Sequence, residues 1–147
     1  MYCDNNKEKV PDFVPMESII IHDLIPHIDA TYHTKPERAY RALEGFSMGG
    51  FGAARLGFKH PELFGVVSIV AGALYDDDEW PGLTRIFLIT FGGPKEYCKA
   101  SLPQTFVPKN AEAIKGRTRI RILVGRNDLT FPQCQRFGAG GFPPRRL

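Results

Sequence analysis

Gly45-Phe46-Ser47-Met48-Gly49 and, far along the chain, Asp128 are the residues whose types and spacing could do chemistry together. A serine hydroxyl is a weak nucleophile until a base takes its proton, and it is best used where the backbone holds it clear of the surface. A G-x-S-x-G pentapeptide does this at a sharp passage from strand into helix. Side chains two positions before and after the serine would collide at such a bend, so Gly45 and Gly49 answer a steric demand. Gly50 and Gly52 extend that relief and let the helix run close to the strand. The helix N-terminus aims backbone N–H groups at a reacting carbonyl, and the Met48 amide is one oxyanion donor. Asp128 follows a second strand-like run, where a carboxylate can orient an imidazole. Other readings stay open: an N-capping serine on a Gly-rich turn, a nucleotide-binding turn, against which Arg55 stands where a third small residue belongs, and for Asp128 a plain turn aspartate.

The elements that must position these groups follow from periodicity. Residues 14–28 place Met16, Ile19, Ile20, Leu24 and Ile28 at helical spacing, with Pro15 in the first turn and Pro26 ending or kinking the helix. Residues 34–37 read as a turn and 38–46 as a short buried strand or its approach. Residues 48–59 read as a helix favoured by Ala53, Ala54 and Leu56 and closed by Pro61. Residues 64–71 and 118–124 are apolar, β-branched runs of strand length. Between them an insert, about 75–116, opens on Asp76-Asp77-Asp78-Glu79, carries Tyr75, Trp80, Phe87, Phe91 and Tyr97, and ends in a helix over 110–115. This alternation predicts an α/β fold, a parallel sheet with flanking helices and a helical, lid-like insert. The core would occupy residues 1–137, with an irregular basic tail over 138–147.

The chain has 147 residues, 43% hydrophobic and 24% charged, which suits one globular domain and excludes disordered and collagen-like classes. The longest apolar stretch is too short to cross a bilayer, and the first residues lack the basic-then-apolar order of a signal peptide, so a soluble protein of unassigned compartment is expected. Cys3, Cys98 and Cys134 form no CxxC pair and read as thiols rather than a disulfide scaffold or zinc ribbon. No metal site is expected. From Lys115 onward eight basic residues stand against one acid, whereas the first 114 residues carry 11 basic and 15 acidic ones. With no clustered basic helix, a solvated strand and tail outrank a nucleic-acid surface.

Gly45 to Ala53, followed by His60-Pro61-Glu62-Leu63-Phe64, resembles the esterase family of the α/β-hydrolase superfamily that includes feruloyl esterases and esterase D-type hydrolases. Asp23-Leu24-Ile25-Pro26-His27-Ile28-Asp29 with Tyr32, then Phe91-Gly92-Gly93, then Val124-Gly125-Arg126-Asn127-Asp128 extend the similarity over most of residues 15–137. The resemblance implies a partial α/β-hydrolase fold and hydrolysis of small-molecule carboxylic esters through a serine acyl-enzyme, without cofactor or metal. Ser47 would be the nucleophile and Asp128 the acid of a Ser–Asp–His order. The insert aromatics could line an acyl or aryl pocket, although such density more often forms core.

The pattern breaks at the base. His22, His27, His33 and His60 all precede Asp128, and His60 lies roughly 20 Å from Ser47 along a straight helix. The early strands, the loop giving a second oxyanion N–H and the histidine loop have no counterpart here, so the expectation is a central slice of a larger hydrolase with weak esterase activity. The alternative expectation is a non-catalytic fragment or interaction protein that self-associates through exposed sheet or apolar surface.

Overall fold

The computed structural model describes residues 2–4, 12, 14–75 and 95–141. Its centre is a three-stranded sheet in the order β1 (Ala42–Phe46), β2 (Val66–Val70), β3 (Arg119–Leu123), with both pairs parallel. Parallel neighbours need crossover connections. The first is α3 (Met48–Lys59); the second includes α4 (Lys95–Ala100), α5 (Pro103–Lys109) and α6 (Ala111–Ile114). A helical segment precedes the sheet, formed by α1 (Met16–Ser18), a π-helical turn over Ile19–Leu24 and α2 (Ile25–Thr31). Helix α7 (Phe131–Gly141) follows β3.

Leu43, Gly45, Val67, Ile69, Ile120 and Ile122 share the inner face of the sheet by register. Val67 and Ile69 are fully buried there with Ala54 and Phe58 of α3, Val107 of α5, Ile114 of α6 and Cys134 of α7. Phe58 stacks on Phe137 of α7 with ring centroids 5.8 Å apart. A second apolar cluster, Cys3, Phe51, Ala73, Cys98 and Leu102, gathers Tyr75 and Tyr97 at its margin. Helix α3 contributes to both clusters, which is why every residue from Gly50 to Phe58 is buried. Its C-terminus is closed by Asn110, whose Nδ2 donates to the Phe58 carbonyl at 2.7 Å.

Several expectations are corrected. Strand β1 is not fully buried: Ala42, Glu44 and Phe46, on the outer face of the sheet, are exposed, and Leu43 and Gly45 are half-buried. The first helical segment neither ends nor breaks at Pro26. Its π turn widens the helix just before the proline, which then sits in the first turn of α2, where its missing N–H costs nothing. Along this segment Glu17 and Ile21, four residues apart, are buried while Leu24 is about half exposed. The described part of the insert is core rather than lid, since α5 packs along α3. Trp80, Phe87, Phe91 and the acidic run 76–79 lie outside the described residues. Helix α7 runs to Gly141, four residues into the segment expected to be irregular. Residues 142–147 lie outside the described ones.

Candidate active site

Strand β1 passes into α3 at Ser47, whose backbone has φ 54° and ψ −111°. A non-glycine residue there stores strain of about 1–3 kcal/mol and persists only where its surroundings over-determine it. Here they do. The Ser47 N–H donates to the Val70 carbonyl at 2.9 Å, and the Ser47 carbonyl accepts from Phe51 and Ala73 N–H, both at 3.1 Å. The bend is thus bolted to the end of β2, where Ala71 also has a positive φ of 44°. Ser47 is exposed and makes no side-chain cap to its helix, so the N-capping reading fails. Met48 supplies the first helical N–H beyond it, one of the amides that lack an intrahelical acceptor.

The glycines divide the steric work unequally. A Cβ on Gly45 would lie 2.0 Å from the Gly49 carbonyl oxygen, so the bend forbids any side chain there. A Cβ on Gly49 would meet nothing nearer than the Tyr2 hydroxyl at 3.9 Å, so Gly49 is not sterically required, contrary to the sequence expectation. Gly50 shares the demand: its Cβ would approach the Gly72 Cα to 2.8 Å. A cavity of about 270 Å³ opens beside the bend between β1 and α3, with Tyr2, Ile20, Leu43 and Phe46 among its lining residues.

Asp128 lies five residues beyond β3. Because the strands are parallel and Phe46, Val70 and Leu123 are in register, Ser47 and Asp128 follow strand ends on the same edge of the sheet. Those ends are two strand spacings apart, about 10 Å, a gap that a bridging group must span. The Asp128 Oδ1 accepts from the Thr130 N–H at 2.8 Å and from its hydroxyl at 2.7 Å. These two donors hold the carboxyl below the usual carboxylate range, so it is ionised at neutral pH. The turn reading is therefore realised at one carboxylate oxygen.

The histidines stand elsewhere. His22, His27 and His33 are exposed on or just after the first helical segment. His60 caps the C-terminus of α3, thirteen residues and roughly 20 Å along the helix from Ser47, with Nε2 2.8 Å from Glu17 Oε1. Among the described residues no hydrogen bond joins a histidine to Ser47 or Asp128. No group of three metal-ligating side chains gathers among them, and no helix is long and apolar enough to cross a membrane.

The sequence reading missed a buried polar hub at the other end of α3. Arg55, 3% exposed, donates Nη1 to Glu17 Oε2 at 2.6 Å and to the Tyr2 carbonyl at 3.0 Å, and Nε to the Ser101 carbonyl at 3.0 Å. Lys59 Nζ lies 2.6 Å from Glu17 Oε1. Burial would raise the Glu17 carboxyl, but hydrogen bonds from His60 and Lys59 and the Arg55 charge and hydrogen bond hold it far below the usual range. The only sequence signal was Arg55 itself, a charge in a Gly/Ala-rich helix. The insert aromatics Tyr75 and Tyr97 belong to the second core cluster, and the Tyr97 hydroxyl donates to the Asp4 carbonyl at 3.1 Å.

Known proteins share this fold. An S-formylglutathione hydrolase from Agrobacterium tumefaciens superposes with a TM-score of 0.63 at 19% identity over 92% of this chain and 58% of its own. One from Staphylococcus aureus superposes with a TM-score of 0.58 at 15% identity, covering 82% and 46%. At such identities the likeness establishes the fold: an α/β-hydrolase type. An endo-1,4-beta-xylanase/feruloyl esterase of Xylanibacter ruminicola is 32% identical over 100 residues, 67% of this chain and 13% of that protein. The chain thus spans about half the length of the two hydrolases and a small part of the xylanase/feruloyl esterase. The family described as "Putative esterase" matches residues 3–133, nearly the whole described chain, and it is to this esterase family that the chain belongs.

Proposed function

We propose that this chain carries the nucleophile of a serine-dependent carboxylic ester hydrolase. Ser47 Oγ attacks the ester carbonyl as its proton passes to a base, and the Met48 N–H stabilises the resulting oxyanion. Collapse of the tetrahedral intermediate expels the alcohol, which takes up that proton, and leaves an acyl-Ser47 ester for water to hydrolyse. Asp128 orients and electrostatically supports the base. The observation that carries this reading is the positive φ of Ser47 at a bend pinned to β2, with its hydroxyl not consumed as a cap. The relative named as a feruloyl esterase suggests aryl acyl esters as the substrate class.

With no histidine hydrogen-bonded to Ser47 among the described residues, weak turnover is the expectation for this chain. In subtilisin, loss of the catalytic histidine costs on the order of 10⁶ in turnover, leaving about 10³ to 10⁴ over water. Hydrolysis of p-nitrophenyl acetate by wild type and Ser47→Ala tests the reading: slow, serine-dependent release supports it, and equal rates reject it. A second reading, a non-catalytic fold that keeps the bend by descent, is favoured by the absence of any histidine hydrogen-bonded to Ser47 or Asp128 among the described residues.

A further inference from the structure

Ser47 and Asp128 follow strands that are not neighbours, yet a continuous run of hydrogen bonds joins the segments that carry them. It begins at Thr130, whose N–H and hydroxyl hold Asp128 Oδ1. One helical turn on, the Cys134 N–H donates to the Thr130 carbonyl at 3.0 Å, and Cys134 Sγ donates to the Gly72 carbonyl at 3.4 Å. The Gly72 C=O and the Ala73 N–H are opposite ends of one trans peptide group. That Ala73 N–H is the one that donates to the Ser47 carbonyl at 3.1 Å. A single peptide plane is thus gripped by α7 on its oxygen side and by the nucleophile bend on its nitrogen side.

A glycine on one side of a peptide leaves its rotation little hindered, and Gly72 has no room for a side chain, since its Cβ would lie 2.5 Å from Ile69 Cγ2. The Leu74 N–H also reaches the Gly72 oxygen, at 2.8 Å, but it belongs to the same turn and ties it to nothing outside. Ala71, left-handed at φ 44°, is fixed by its own N–H on the Leu123 carbonyl at 2.7 Å. Cys134 supplies the hold on the peptide itself from another element. It is 1% exposed, and burial pushes its thiol above the ordinary value, so the sulfur keeps a proton to donate at neutral pH.

We propose that Cys134 is a positioning residue for the Ser47 reaction: through the Gly72–Ala73 peptide it fixes where the nucleophile bend stands relative to the Asp128 loop. The proposal rests on the serine hydrolase reading above. The sulfur does no chemistry of its own. Two groups that must serve one base are set in place by a linkage that does not include the base.

Cys134→Ala removes the donor. Ile114→Val, which trims a buried side chain of the same core cluster outside this run of bonds, controls for a small cavity. Fluorophosphonate labelling of Ser47 is followed against probe concentration, with urea denaturation confirming that each variant is folded. Cys134→Ala should lower the maximal labelling rate about fivefold, the worth of one hydrogen bond, at an unchanged probe concentration for half that rate. Ile114→Val should label at the wild-type rate. Amide hydrogen exchange reads the peptide itself: relative to Ile69 of β2, the Ala73 N–H should exchange about fivefold faster in Cys134→Ala and no faster in Ile114→Val. Equal labelling by the two variants, or an Ala73 amide whose relative exchange does not change, would overturn the proposal and leave the hydrolase reading in place. A wild type that does not label at Ser47 would reject that reading, and the proposal with it.

Discussion

At the C-terminal half of α3, Glu17 is buried against Arg55, Lys59 and His60, and every strong donor there is spent on a carboxylate or a carbonyl. At its N-terminal end the helix begins on a strained, exposed serine that caps nothing, with the carboxylate of Asp128 on the same sheet edge held through Oδ1. The same helix therefore has one end where polar groups are consumed in holding elements together and one where they are kept available. The contrast separates a structural charge cluster from a candidate site more reliably than residue type does, since the cluster holds a carboxylate, a lysine and a histidine, whereas among the described residues no histidine is hydrogen-bonded to Ser47 or Asp128.

The sharpest way to break this contrast is at the hub. Arg55→Met should destabilise the chain by about 3–5 kcal/mol in urea denaturation, because it removes the partner of Glu17 Oε2 and the donors to the Tyr2 and Ser101 carbonyls while leaving the bend untouched. The bend should answer next. Gly45→Ala should cost about 3 kcal/mol or more, since no relaxation clears a 2.0 Å approach of backbone oxygen. Gly49→Ala should be within about 1 kcal/mol of wild type. Equal effects of the two glycine changes would contradict the division of labour drawn here.

Acid titration sharpens the same comparison. The folded Glu17 carboxyl lies below its ordinary value of 4.5, so the stability it contributes is present above that pH and is lost as pH falls toward the folded value. Glu17→Gln should flatten the acid limb of stability between about pH 5 and 3. Ser47→Gly should stabilise the fold by about 1 kcal/mol, since glycine adopts the positive φ without strain. A loss of stability instead would mean the serine hydroxyl is structural. The smallest change is expected from Thr130→Val, which removes one of the two donors to Asp128 Oδ1 and should move that carboxyl back toward its ordinary value in a ¹³C titration.

Much of the scaffold was legible in the sequence because local signals and burial agreed there. Helix α3 occupies the predicted 48–59, and β2 and β3 fall inside their predicted apolar runs. The G-x-S-x-G spacing located the bend because backbone sterics at Gly45 leave few other residues possible. What could not be read was non-local. Glu17 was hidden because its burial depends on Arg55, Lys59 and His60, which come from a helix about forty residues further along the chain. Arg55 has its meaning only through Glu17, Tyr2 and Ser101, which meet it across 38, 53 and 46 residues of chain. The exposure of Phe46 and Leu123 was illegible because alternation in β3 tells which side chains share a face and not which of the described elements pack on it.

The central claim is that the Ser47 hydroxyl is held out as a nucleophile, and it is tested most directly by reacting the folded chain with a fluorophosphonate probe and mapping the adduct by peptide mass spectrometry. A single phosphonylated residue at Ser47, lost in Ser47→Ala and on denaturation before labelling, is the predicted result. Labelling spread over other serines, or none above that of the unfolded chain, would contradict it.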